Sequence, residues 1–219
     1  MAVKQIRSVA GVTDQVGLYA MAGFLVAKKV STAAIDGYKS LFSINREMQL
    51  DYYRNKGIAH AKRKKYSQAV PMLEKVLKKN PENAETLFFL GVSYLRTDKR
   101  KDGIELLEKG SKLEPKNAKI ASALGMAYIQ AKAYKKAVGM LEKAIARSKD
   151  KFDLYYRLGM AYDNLKEYPK AIKAFGSAIG INPNEAKVYQ ALGFAYEQKG
   201  DRKSAVANFK KALELEDTN

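Results

Sequence analysis

The sequence predicts an all-α chain, a superhelical solenoid of antiparallel helix pairs repeating every 34 residues. The first sign is a phase: stepping from Gly159 in units of 34 reaches Gly193, Gly125, Gly91, Gly57 and Gly23. Six glycines share it in a chain of 219 residues with only 15 glycines, which chance placement does not produce. The second is the frame around that phase, fullest at Tyr155-x-x-Leu158-Gly159-x-x-Tyr162, then Ala171-x-x-x-Phe175, Ala178 and Pro183. Its spacings of three and four are helical, and Pro183 ends one unit and starts the next. The third is composition: 47% of residues are hydrophobic, with no run long enough to span a bilayer, which suits a core continued across stacked repeats.

This frame is that of a tetratricopeptide repeat (TPR). Gly159 and Ala171 lack bulk, so two helices approach closely there, while Tyr155, Leu158, Tyr162 and Phe175 fill the space around the contact. Six units start at Val16, Leu50, Ala84, Ala118, Phe152 and Ala186. Residues 1–49 are thus a lead-in plus a degenerate first repeat, set apart from a five-repeat domain over 50–219, with repeats at 50–83, 84–117, 118–151, 152–185 and 186–219.

In chain order, Met1 to Gln15 has no strong periodicity. Val16 to Ala27 is a twelve-residue apolar run behind Lys4 and Arg7, the length of a signal-peptide core. The phase argues for a first helix instead, because Tyr19 and Gly23 hold the positions of Tyr155 and Gly159. Ile35, Lys39 and Phe42 then fall where small and aromatic residues belong, and overpacking such a contact costs about 1 to 3 kcal/mol. Either this repeat hinges away and buries Leu18, Tyr19, Ala22 and Val26 on another molecule, or it is a divergent cap.

The second repeat keeps Tyr53, Gly57, Ala69, Leu73 and Pro81 but places His60, the chain's one histidine, where the other full repeats have tyrosine; a packing role suits it better than metal ligation. The third repeat follows the frame through Leu90, Gly91, Tyr94, Gly103 and Leu107, and the fourth through Leu124, Gly125, Tyr128, Ala137 and Leu141. The last keeps Tyr189, Gly193, Tyr196, Ala205 and Phe209, and Phe209, Leu213 and Leu215 are expected on a face that a following helix or another subunit would cover.

Within the first helix of each repeat, the second, fifth, ninth, twelfth and thirteenth positions point to the concave side. They yield a candidate protein-binding groove of Arg54, Ile58, Lys62, Phe88, Val92, Arg96, Met126, Ile129, Tyr156, Met160, Asn164 and Phe194, with Arg157 adjacent. An apolar floor containing pliant methionines, with basic ends, suits the apolar face of a helix that carries carboxylates. Some of these side chains are equally well placed as core between neighbouring repeats.

A second candidate surface lies at the turns within helix pairs. Arg63, Lys64 and Lys65, then Lys99, Arg100 and Lys101, then Lys135 and Lys136, then Arg202 and Lys203 recur at repeat spacing. The formal charge is +17, and the excess is concentrated in Leu50–Asn83 and Ala118–Lys151, at +6 each. A polyanion or anionic membrane is the alternative partner, against the reading of a solvated charge run. Nucleic acid fits less well, because most of the 14 tyrosines hold packing positions.

No phosphate-binding loop, metalloprotease helix, paired-cysteine motif or nucleophile elbow occurs, so the sequence points to no catalytic residues, cofactor or metal. The absence of cysteine fits a reducing compartment. The strings Tyr52-Tyr53-Arg54-Asn55-Lys56-Gly57, Tyr66-Ser67-Gln68-Ala69-Val70, Ala161-Tyr162-Asp163-Asn164-Leu165 and Tyr196-Glu197-Gln198, with Val26-Ala27-Lys28-Lys29 and Leu41-Phe42-Ser43, resemble the MamA family of magnetosome-associated TPR scaffolds of magnetotactic bacteria. The resemblance implies a non-enzymatic scaffold that self-assembles, the first repeat of one subunit entering the groove of the next. It also implies a cytoplasmic protein peripherally associated with the magnetosome membrane, with other magnetosome proteins as partners. The tail expected of the family after the last repeat is missing.

Overall fold

A computed structural model describes residues 46–148 and 151–217, and every regular element among them is an α-helix. The described helices are α1 (Arg46–Lys62), α2 (Tyr66–Leu77), α3 (Ala84–Leu95), α4 (Arg100–Leu113), α5 (Ala118–Gln130), α6 (Tyr134–Ile145), α7 (Phe152–Asn164), α8 (Tyr168–Ile181), α9 (Ala186–Lys199) and α10 (Arg202–Glu216). Odd and even helices pair across short turns, as the 34-residue phase requires. The chain divides after Pro81 into two compact units. The first holds the α1–α2 pair; the second holds α3 to α10, in which each even helix also packs on the next odd one.

Each pair closes on its phased glycine, and the group that occupies the space is always sixteen residues downstream. A Cβ on Gly57 would stand 2.8 Å from Leu73, on Gly91 2.8 Å from Leu107, on Gly125 2.7 Å from Leu141, and on Gly159 and Gly193 2.5 Å from the rings of Phe175 and Phe209. In α3–α4 the backbones themselves meet, since a Cβ on Gly103 would lie 2.8 Å from the Gly91 carbonyl oxygen. The partner side chains Leu73, Leu107, Leu141 and Phe175 are fully buried. Ala69, Ala137 and Ala171 are buried at the small position in the opposing helix, and Ala144 and Ala178 at the small position toward the next pair.

Phe209 reaches beneath Gly193 as Phe175 does beneath Gly159 and lies edge-on to Phe194 at 5.0 Å. Unlike Phe175, which the next pair buries, it is only half-buried, as is Leu215, and Val206 and Leu213 of α10 are exposed.

The turns within pairs share one backbone device. Lys64, Asp98, Lys132, Lys166 and Gly200 stand 34 residues apart and all have φ between 57° and 90°. At these left-handed residues the chain closes a Schellman motif: Ala133 N–H donates to Tyr128 C=O at 2.8 Å, and Lys132 N–H to Ile129 C=O at 2.9 Å, with the same pattern at Glu167 and Lys166. The starts of α3 and α5 are capped by side chains, Asn83 accepting from Thr86 N–H and Asn117 from Lys119 and Ile120 N–H.

Two stability predictions follow from this geometry. Gly159→Ala should destabilise by about 1 to 3 kcal/mol, because the ring it meets is buried. Gly176→Ala, whose Cβ meets nothing within 4 Å, should stabilise by roughly 0.5 to 1 kcal/mol. Urea denaturation of both variants tests the contrast, and equal shifts would contradict it. At the turns, Gly200→Ala should cost about 1 kcal/mol or more. Lys132→Gly should gain roughly 0.5 kcal/mol, since relief of about 1 to 2 kcal/mol of left-handed strain exceeds the added entropy of glycine. Calorimetric melting of each variant checks both signs.

Candidate functional site

The inner face of the odd helices in the second unit holds two hollows. The first, of about 200 Å3, is lined by Val92, Leu95 and Arg96 from the end of α3, by Ala123, Met126, Ala127 and Gln130 of α5, and by Arg157 of α7. Arg157 is held by Asp153 one turn back, at 2.6 Å. The second, of about 280 Å3, is formed by Tyr156, Met160, Asp163 and Asn164 of α7, Phe175 of α8, and Lys187, Gln190, Ala191 and Phe194 of α9.

Chemically the two differ. Two guanidinium groups flank the first over an apolar floor. In the second, burial pushes the Asp163 carboxyl above the usual carboxylate range, and Lys187 lies 5.5 Å from the Phe152 ring and 5.7 Å from Tyr156 while pairing with Glu185 at 3.0 Å. Phe194 is 52% exposed, a large apolar ring facing solvent beside the Asn164 and Gln190 amides. Asn164 is positioned by its own helix, its amide donating to the Met160 carbonyl at 2.8 Å.

Of the residues expected in the groove, Val92, Arg96, Met126 and Arg157 meet in the first hollow, and Tyr156, Met160, Asn164 and Phe194 in the second. Phe88 and Ile129 are half-buried against the core of the second unit. Arg54, Ile58 and Lys62 belong to α1 in the first unit. There Arg54 pairs with Asp51 at 3.0 Å, Lys62 is exposed, and Ile58 is 7% exposed, so Ile58 is core and has no face to offer a ligand. His60 is half-buried on the same helix. The turn residues Arg63, Lys64, Lys65, Lys99, Arg100, Lys101, Lys135, Lys136, Arg202 and Lys203 are all exposed. Leu18, Tyr19, Ala22 and Val26 lie outside the described residues.

Sequence reading missed Asp163, Lys187 and Gln130. Asp163 shares the phase of Leu95 and Ile129, so periodicity alone assigns it inward; its charge disguised it as a surface residue. Also missed was a tie between successive pairs. The Tyr128 hydroxyl donates to the Glu108 carboxylate, joining α5 to α4, and 34 residues on the Tyr162 hydroxyl donates to Glu142 at 2.7 Å, joining α7 to α6. Burial and the carboxylate neighbour raise both phenols, Tyr162 to about 12. Lys136 and Lys170 lie over the two rings at 5.5 and 5.4 Å.

Comparison with known proteins agrees with this architecture. The profile of the Psidin N-terminal TPR repeats region matches residues 59–175, and a tetratricopeptide-repeat profile matches 186–219. A solved MamA structure from MSR-1 superposes with a TM-score of 0.75 at 41% identity, covering 78% of this chain and 98% of that one. This chain belongs to the MamA family. A second MamA structure, from AMB-1, gives a TM-score of 0.74 at 42% identity, over 77% of this chain and 99% of that one.

Among curated MamA-family sequences, magnetosome protein MamA of Magnetospirillum gryphiswaldense is 44% identical over 78 residues, and that of Paramagnetospirillum magnetotacticum 41% over 80 residues. These aligned segments cover 36% of this chain and span 36% and 37% of the two relatives' lengths, a little over a third. No described helix is long and apolar enough to cross a membrane, and no group of three or more described His, Cys, Asp or Glu residues could hold a metal ion.

The inter-pair tie yields a prediction in alkali. An unfolded tyrosine ionises near 10 and folded Tyr162 near 12. The folded state therefore holds the phenolic proton more tightly, and this stabilisation is complete below pH 10 and lost as pH rises toward 12. Tyr162→Phe should cost about 1 kcal/mol at neutral pH and flatten the decline above pH 10, as read by far-ultraviolet dichroism across an alkaline titration. An unchanged alkaline profile would remove the tie from the stabilising contacts.

Proposed function

We propose that this MamA-family chain is a non-catalytic scaffold whose inner helix face binds a helical segment of a protein partner, first of all the N-terminal segment of another copy. What carries the reading is the pairing of two hollows on successive odd helices: Met126 and Met160 in the floors, Arg96 and Arg157 at the rim of one, and the exposed Phe194 ring in the other. Burying the exposed half of that ring removes on the order of 100 Å2 of apolar surface from water, worth roughly 2 kcal/mol before ordering costs. Methionine adapts to the shape of an incoming side chain, and the two arginines pair with carboxylates on its polar flank.

Residues 16–27, which include Leu18, Tyr19, Ala22 and Val26, offer a matching apolar segment by sequence. Entry of that segment into a neighbour's groove is a heterologous contact, and such contacts propagate into rings or open assemblies. Residues 1–49 act in this scheme as the inserting arm and 50–219 as the receiving domain. The name carried by the curated relatives supports a place at the magnetosome surface, with other magnetosome proteins as further ligands.

The test is assembly size by sedimentation. Met126→Asp with Met160→Asp should reduce the full chain to small species without loss of helicity, and so should removal of residues 1–49. Because the floor is apolar, assembly of the parent should persist as salt is raised. Large species formed by the truncated chain, or retained by the double aspartate variant, would overturn the arm-to-groove reading.

A further inference from the structure

We infer that the edge of the second unit formed by the turns within its helix pairs is a docking surface for an anionic lipid bilayer. This goes beyond the groove, which lies on the inner helix faces. Four short turns join antiparallel partners, and successive odd helices lie side by side, so all four turns are at one end of the stack. Residues 98–102, 132–136, 166–170 and 199–203 place eleven lysines and arginines there against four carboxylates. The described residues of the opposite connections, 112–117, 146–148, 151 and 181–185, hold four against two. The basic side chains of the first edge are all exposed. Glu167 pairs with Lys170 and Asp201 caps α10 through Ser204, and the edge keeps an excess of seven positive charges.

The backbone supplies a second observation. Lys132 and Lys166 occupy left-handed positions, φ 57° and 61°, where the equivalent Gly200 carries no steric penalty. Two turns thus hold a lysine outward at a position that glycine would relieve, and strain retained at a surface residue points to work for its side chain. The kind of cation selects the partner. Nine of the eleven are lysine, a hydrated point charge suited to a diffuse anionic surface, whereas bidentate phosphate recognition in nucleic acid favours arginine. Nor are the nearby rings free to stack on bases: Lys99 covers Tyr94 at 4.8 Å and Lys136 covers Tyr128 at 5.5 Å.

Flotation of the full-length chain with vesicles of phosphatidylserine and phosphatidylcholine, against phosphatidylcholine alone, tests the surface. Lys101→Gln, Lys135→Gln and Lys203→Gln together should lower partitioning to the anionic vesicles roughly a hundredfold. The same loss of charge from the other edge, in Lys112→Gln, Lys116→Gln and Arg147→Gln, should change it by no more than about threefold. Lys132→Gly with Lys166→Gly should melt at a higher temperature yet bind the vesicles roughly thirtyfold more weakly, a combination that a merely structural role for these lysines does not produce. Met126→Asp with Met160→Asp, dispersed to small species, should still prefer the anionic vesicles over phosphatidylcholine alone, although with the lower avidity of a smaller species, which separates this surface from the groove. Equal binding to both vesicle types, equal losses from the two edges, or displacement of the chain from vesicles by duplex DNA would each overturn the proposal.

Discussion

Each described helix pair rests on one steric fact, a missing Cβ opposite a leucine or phenylalanine of the partner helix. With glycine at 57, 91, 125, 159 and 193, the two backbones approach until the side chain sixteen residues on fills the slot. That approach sets the distance between partners, and the distance sets how the even helix meets the following odd one. The hollows lined by Met126 and Met160 follow from this, because odd helices stacked at a fixed separation leave gaps between their inner side chains. The hollowed inner face is a by-product of a packing rule acting on the opposite side of the same helices.

The two hollows carry different chemistry although they repeat one geometry. Arg96 and Arg157 give the first a cationic rim, whereas Asp163, Lys187 and two amides give the second a mixed one. On the proposed function, a segment lying across both would meet unlike ends, so one direction would be favoured over the other. This asymmetry comes from residues that the repeat frame leaves free to vary, and it is where a TPR scaffold gains specificity.

The pairing of helices and the identity of their contacts were legible in the sequence because glycine phase and apolar spacing report directly on close approach. Much of the site was legible for the same reason, since Met126, Met160, Tyr156 and Phe194 share the phase of the inner face. The remainder depended on depth, which phase does not encode. Ile58 has the phase of Met126 and Met160 yet is buried, whereas those two are half-buried. Asp163 was hidden by its charge, and the Tyr162–Glu142 tie required matching positions twenty residues apart in separate pairs. The left-handed lysines left no signal, because glycine and asparagine are the residues that advertise such a turn.

The tie itself has a mechanical consequence. Tyr128 and Tyr162 rivet their helices to the preceding pair, but at Tyr196 the matching position is Gly176, which has no side chain with which to accept a hydrogen bond. The junction of α8 with α9 lacks that rivet, and it borders the second hollow. Prising this junction apart therefore breaks no bond of that kind and works against the apolar packing of Phe175, Ala178, Val188 and Leu192. The wall beside Phe194 is thus held by non-directional apolar packing, whereas the one beside Met126 is also pinned by oriented hydrogen bonds.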